Sequence, residues 1–81
     1  MPAPAKTRTL YVGGLPASAS SDALREAWAR FGVIDDVRLI PRRELVIAYV
    51  TFADEAAANG ARRALDGSTF AGHRLRVEFA I

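Results

Sequence analysis

The chain has 81 residues, 51% of them hydrophobic and 25% charged, and carries a net charge of +2 from eleven Lys and Arg against nine Asp and Glu. That length is short for two domains and suits one economical two-layer fold, and the composition excludes a disordered polyelectrolyte. The absence of cysteine excludes disulfides and thiol catalysis, one histidine argues against a zinc site or a His-dependent triad, and no apolar run approaches a membrane span.

Residues 1–8 are rich in Pro and Ala, show no period and lack the apolar core of a signal peptide. They read as a loose N-terminal arm before a single domain over 9–81. Thr9 to Val12 is a first strand, with Leu10 and Val12 inward and Tyr11 outward, and Gly13-Gly14-Leu15-Pro16 is expected to end it. Ser20 or Ser21 caps a helix that runs to about Arg30. Leu24, Ala27, Trp28 and Phe31 form its apolar stripe, and Gly32 stops it. A second strand follows from about Val33 to Ile40. Its inward candidates Ile34, Val37 and Leu39 have uneven spacing, which points to a bulge or an edge strand.

After the turn Pro41-Arg42-Arg43-Glu44 comes the longest run of β-formers, Leu45 to Phe52. At period two it splits into Val46, Ala48, Val50 and Phe52 on one face, and Leu45, Ile47, Tyr49 and Thr51 on the other. Both faces are largely apolar, so the second face calls for a partner as well as the first for a core. Asp54 caps a second helix to Leu65, with Ala57, Ala58, Ala61 and Leu65 inward. Gly60 within it costs about 1 kcal/mol relative to alanine, which suggests close backbone packing there. A last strand, Arg74 to Phe79, turns Leu75, Val77 and Phe79 inward and Arg74, Arg76 and Glu78 outward. Phe31, Phe52, Phe70 and Phe79 read as core, as does Trp28.

The order β-α-β-β-α-β favours an α+β, ferredoxin-like fold: a four-stranded antiparallel sheet, order 4-1-3-2, with both helices on one face. Tyr11 then lies beside Ile47 and Tyr49 on the uncovered face. Arg38, Arg42, Arg43, Arg74, Arg76, Lys6 and Arg8 fall on or around that face, against Glu44, Glu78 and Asp35 or Asp36. The local positive bias is one that net charge hides.

Leu10-Tyr11-Val12-Gly13-Gly14-Leu15 resembles the hexamer motif of the RNA recognition motif (RRM) family, and Leu45 to Phe52 stands where that family carries its octamer. The patterns around Leu24, Trp28 and Phe31-Gly32, and around Leu65-Asp66-Gly67 and Leu75, resemble the rest of the family, so the likeness covers about residues 7 to 80. It implies an intracellular module, nuclear or cytoplasmic, for RNA processing. It would bind single-stranded RNA across the open face as a monomer, with no cofactor and no catalytic residue. The family's three stacking rings fall on Tyr11, Ile47 and Tyr49. The octamer departs from the family at Leu45, where a basic residue is usual, at Val46, where glycine is usual, and at Ile47, where a ring is usual.

The RNA-binding expectation therefore rests on Tyr11 and Tyr49 as stacking platforms and on Arg38, Arg76 and Arg43 as phosphate contacts. Leu45 and Ile47 are open to two readings, contact with RNA or a protein-docking patch shared with Ile40. Glu78 is placed to accept a base amino hydrogen bond or to pair with Arg76 or Arg38. An enzyme or metal carrier of the same topology would need an arginine or a cysteine pair after the first strand, and residues 13–21 contain neither.

Overall fold

A computed structural model describes residues 7–80. Thr9–Pro16 (β1), Ile34–Arg42 (β2), Leu45–Phe52 (β3) and Arg76–Phe79 (β6) form one antiparallel sheet in the order β2-β3-β1-β6. Helices α1 (Ser21–Trp28) and α2 (Glu55–Leu65) connect its halves. With β6 as the fourth main strand, this is the order 4-1-3-2 expected from the sequence. Two-residue strands β4 (Thr69–Phe70) and β5 (His73–Arg74) add a small hairpin that the sequence reading had not separated from the last strand.

β2 outlasts its expected end at Ile40: Pro41 and Arg42 pair with Val46 and Leu45, and the turn shrinks to Arg43-Glu44. Three further element boundaries differ from expectation, each for a local reason. First, β1 does not stop at Gly13-Gly14. A register shift between Val12 and Leu15 lets pairing with β3 resume at Leu15 and Pro16. Gly14 makes this possible with φ +90° and by lying where a β-carbon would stand 2.5 Å from the Arg74 carbonyl oxygen, so no larger residue fits. Second, α1 ends at Trp28 and a 3-10 turn follows over Ala29–Phe31. The turn leaves Ala27 exposed and Phe31 half-buried, and Leu24 and Trp28 are the buried residues of the helix. Third, the last strand breaks at Leu75. Its N–H donates to the Ser68 carbonyl and its carbonyl accepts from Gly67 N–H, so the backbone serves the segment after α2 rather than the sheet. The β4–β5 link Ala71-Gly72 has φ +50° and +83°, the double positive φ of a type I′ hairpin.

The helices are capped as the sequence suggests. The Ser20 hydroxyl accepts from Ala23 N–H at 3.1 Å, and the Asp54 carboxylate from Ala57 N–H at 2.8 Å. Between sheet and helices lie Leu10, Val12, Leu15, Leu24, Trp28, Val50, Phe52, Ala58, Ala61 and Val77 among the buried residues. Phe52 is wholly buried, whereas Phe31, Phe70 and Phe79 pack against the core from its rim. Phe70 meets Trp28 edge-on at 6.0 Å. The close backbone approach expected at Gly60 is absent: Gly60 is exposed, with nothing within 4 Å of a built β-carbon. The tight contact is instead at Gly32, where an added β-carbon would lie 2.6 Å from that of Ala57. No helix among the described residues is long and apolar enough to cross a membrane.

Candidate nucleic-acid interface

No described residue covers the face of the sheet opposite the helices, and the strand registers arrange its side chains in rows. The central row runs Arg38, Tyr49, Tyr11, Glu78 across all four strands. The next row toward the β2–β3 turn runs Ile40, Ile47, then Gly13 and Arg76 beyond the register shift. Arg42 and Leu45 follow it. In the opposite direction lies a row of Asp36, Thr51 and Thr9.

The two tyrosines are direct cross-strand neighbours. Their rings sit 5.9 Å apart at 63°, edge to face. Both are half-buried, so each keeps part of its surface open to solvent. Arg38 and Arg76 are exposed at opposite sides of this pair. Arg76 Nε lies 3.6 Å from a Glu78 carboxylate oxygen, with side chains 76% and 59% exposed. This pairing is one of the two roles considered for Glu78, and at that exposure it is weak enough to open for a ligand. Leu45 is 40% exposed, and Ile47 and Ile40 are half-buried beside each other, so the apolar patch adjoins the tyrosines on the turn side.

Other expected basic residues lie elsewhere. Arg8 is held at the end of the sheet by Asp35 at 3.5 Å and by the Ala53 carbonyl at 3.4 Å. Arg74 belongs to β5, off the main sheet. Its Nη2 lies 3.9 Å from where a β-carbon would stand on Gly67, after α2. Arg43 occupies the two-residue β2–β3 turn with φ +55°, exposed beside Arg42, Glu44 and Leu45. Lys6 lies outside the described residues. Arg62 covers the core edge, with its guanidinium 5.2 Å over the Phe79 ring.

The β2 bulge settles which aspartate faces the open surface. The register shifts between Ile34 and Asp36, so Asp35 is the extra residue and turns to Arg8. Ile34 packs on the core, and Asp36 joins Arg38 on the open face. Beside Tyr49, Asp36, Arg38, Thr9, Thr51, Thr7 and Ala80 line an open hollow of about 590 Å³. The two threonine hydroxyls share a hydrogen bond at 2.9 Å. The Thr7 hydroxyl donates to the Ala80 carbonyl at 2.9 Å and so ties the two ends of the described chain together. In the sequence alone Thr9 and Thr51 carry no role, and Asp36 stands only as the alternative to Asp35 on this face. The signal for Asp36 was the uneven apolar spacing of β2, which marked the bulge without placing it.

Known proteins share this fold. Residues 10–76 match the family described as RNA recognition motif. A Caenorhabditis elegans protein, "Probable splicing factor, arginine/serine-rich 6", is 46% identical over 71 residues, which are 88% of this chain and 39% of that one. The Drosophila melanogaster "RNA-binding protein 1" is 39% identical over 71 residues, covering 88% of this chain and 49% of that one. The chain thus spans less than half the length of these relatives. Among solved structures, the Mip6 RRM3 domain superposes with a TM-score of 0.88 at 20% identity, covering 95% of this chain and 96% of that one. The RRM of Rna15, solved with bound RNA (GU), superposes at 0.79 with 18% identity, covering 91% and 83%. With the family match spanning most of its length and the sheet order and helices in place, this chain belongs to the RNA recognition motif family.

Proposed function

We propose that the chain is a binding module for short single-stranded RNA, held on the open sheet face by stacking on Tyr11 and Tyr49 and by arginine–phosphate contacts. The observation that carries this reading is the central row Arg38–Tyr49–Tyr11–Glu78. Two adjacent, half-open rings lie at the centre of an uncovered sheet with a guanidinium beside them. Unpaired bases stack on such rings at about 1–3 kcal/mol each, and guanidinium groups at the flanks meet the phosphates. Arg76 and Arg43 join Arg38 as phosphate contacts, Glu78 accepts from a base amino group when its pair with Arg76 opens, and Ile47 and Leu45 extend the platform by apolar contact. The relatives' names, a splicing factor and an RNA-binding protein, favour a role in RNA processing, and with that role goes a monomeric module without a cofactor, in the nucleus or cytoplasm.

The exposure of Leu45 and its continuity with Ile47, Ile40 and Tyr49 favour a second reading, in which this face docks a protein. An NMR titration with degenerate short RNA, repeated at rising salt, separates the two. RNA binding should shift the amide signals of Tyr11, Ile47 and Tyr49 with an affinity that falls steeply with salt, whereas apolar docking barely responds to it. A sheet face that stays silent at millimolar RNA rules the first reading out.

A further inference from the structure

We infer that the hollow beside Tyr49 is a guanine-reading slot in which the Asp36 carboxylate accepts two hydrogen bonds from the base. The inference rests on the proposal that RNA binds this face, and it adds which base one position prefers. Asp36 reaches the open face only because the bulge at Asp35 re-aims the strand. Asp35 is engaged by Arg8, whereas Asp36 belongs to neither ion pair found among the described residues and makes no side-chain hydrogen bond among them. A base that covers this carboxylate strips its water, and nearby phosphates repel it, so RNA on this face is favoured there only if the base donates hydrogen bonds to it. Arg38, which lines the same hollow, offsets that repulsion from the phosphates.

The donor and acceptor inventory selects the base. A carboxylate offers two acceptor oxygens side by side. Guanine alone among the four bases presents two adjacent donors on one edge, N1–H and the N2 amino group. Uracil presents a single N–H between two carbonyls, so one of its carbonyls would face the carboxylate. Adenine and cytosine each offer an amino group next to an acceptor nitrogen. The lining threonines complete the match. Thr9 and Thr51 share one hydrogen bond, so one of their two hydroxyl protons remains free to donate to the guanine O6. A base read this way keeps its face on Tyr49 and its edge toward β2.

The test measures binding of the pentamers UUGUU, UUAUU, UUCUU and UUUUU to the full chain and to Asp36→Ala, by fluorescence anisotropy at one salt concentration. Asp36 is exposed and unpaired among the described residues, so the substitution should not disturb folding, which circular dichroism checks. The chain should prefer UUGUU over UUUUU by about tenfold or more, as a bidentate base contact does. Asp36→Ala should bring that ratio to within about twofold. Equal binding of all four pentamers, or a guanine preference that survives Asp36→Ala, overturns the slot and leaves RNA binding standing. Failure of every pentamer to bind overturns the RNA-binding proposal and the slot together.

Discussion

The ring of Tyr11 folds along its own strand over Gly13: a β-carbon on Gly13 would stand 2.8 Å from the tyrosine hydroxyl and 3.2 Å from two ring carbons. The glycine is buried by that ring although it lies on the open side of the register shift. What a methyl group would meet is the far end of one side chain, so the ring can swing away and the backbone need not move. Gly13 has no positive φ, unlike Gly14. Gly13→Ala should therefore leave thermal stability unchanged or raise it by up to about 1 kcal/mol, through the stiffer unfolded chain. RNA affinity should nevertheless fall several-fold because the Tyr11 ring is re-aimed. A variant that binds RNA as before would show that the ring's lie on Gly13 does not matter.

The tyrosines themselves should be separable from the fold. Neither belongs to the buried core, which is supplied from the same strands by Leu10, Val12, Ala48 and Val50. Tyr11→Ala and Tyr49→Ala should each lower RNA affinity at least about fivefold, consistent with a stack of about 1–3 kcal/mol. The two losses should not add, because the rings touch and each orients the other. A double-mutant cycle measures that coupling.

Much of this was legible in the sequence because period two is a strong signal where strands are regular. β3 spans Leu45–Phe52 with the two faces its alternation gives, and the alanine face of α2 is buried as read. The failures cluster where backbone geometry departs from period. The register shift at Gly13-Gly14 extends β1 past residues that ordinarily end a strand. The Leu75 break depends on hydrogen bonds to Gly67 and Ser68, which pairwise side-chain patterns do not encode. The placement of Asp36 depends on which residue of β2 is the extra one. Gly60 misled because a helix glycine can be merely tolerated, whereas the contact that needs a glycine sits at Gly32 in a turn.

Ile47 gives a gain-of-function prediction. It stands on the platform beside Ile40, half-buried, at the position where the family's third ring is expected. Its neighbour across β1 is the glycine pair at the register shift, where the Tyr11 ring already lies over Gly13. Ile47→Phe should tighten RNA binding by about fivefold, the low end of one added stack. An unchanged RNA affinity would instead favour the protein-docking reading of Ile47 and Leu45.

The Asp66 carboxylate accepts from Val77 N–H at 3.0 Å and so ties the end of α2 to β6. Val77 is wholly buried, so its N–H has no water to turn to. Asp66→Ala should cost about 1–3 kcal/mol, an unsatisfied backbone donor. For a domain of this size each kcal/mol lowers the melting temperature by about 4–8 °C. Asp66→Asn retains an acceptor oxygen and should lose less than half as much. RNA affinity well below the melting point should be unaffected by either change, since Asp66 lies on the helix side. Calorimetry and a binding titration on the same samples check both halves.

Salt dependence ranks the arginines. Each phosphate contact to a single strand contributes about 0.7 to the slope of log affinity against log salt. Arg38 has no carboxylate partner in either ion pair found among the described residues, so Arg38→Ala should flatten the slope by about that amount. Arg76 is shared with Glu78 at 3.6 Å, and that pair must loosen before a phosphate takes its place. Arg76→Ala should therefore flatten the slope less than Arg38→Ala. The sign for Glu78 is the decisive part. If Glu78 acts mainly by neutralising Arg76, Glu78→Gln raises affinity for every short RNA and does so most at low salt. If it acts mainly by accepting from a base, the same change lowers affinity for RNA with an amino-bearing base over Tyr11 and leaves polyuridine unaffected. Titrations of Glu78→Gln with oligouridine and oligocytidine between about 50 and 200 mM salt distinguish these. The weak, exposed geometry of the pair favours the base-accepting role once RNA is bound, because an open ion pair in water gives up little to a ligand that offers a donor.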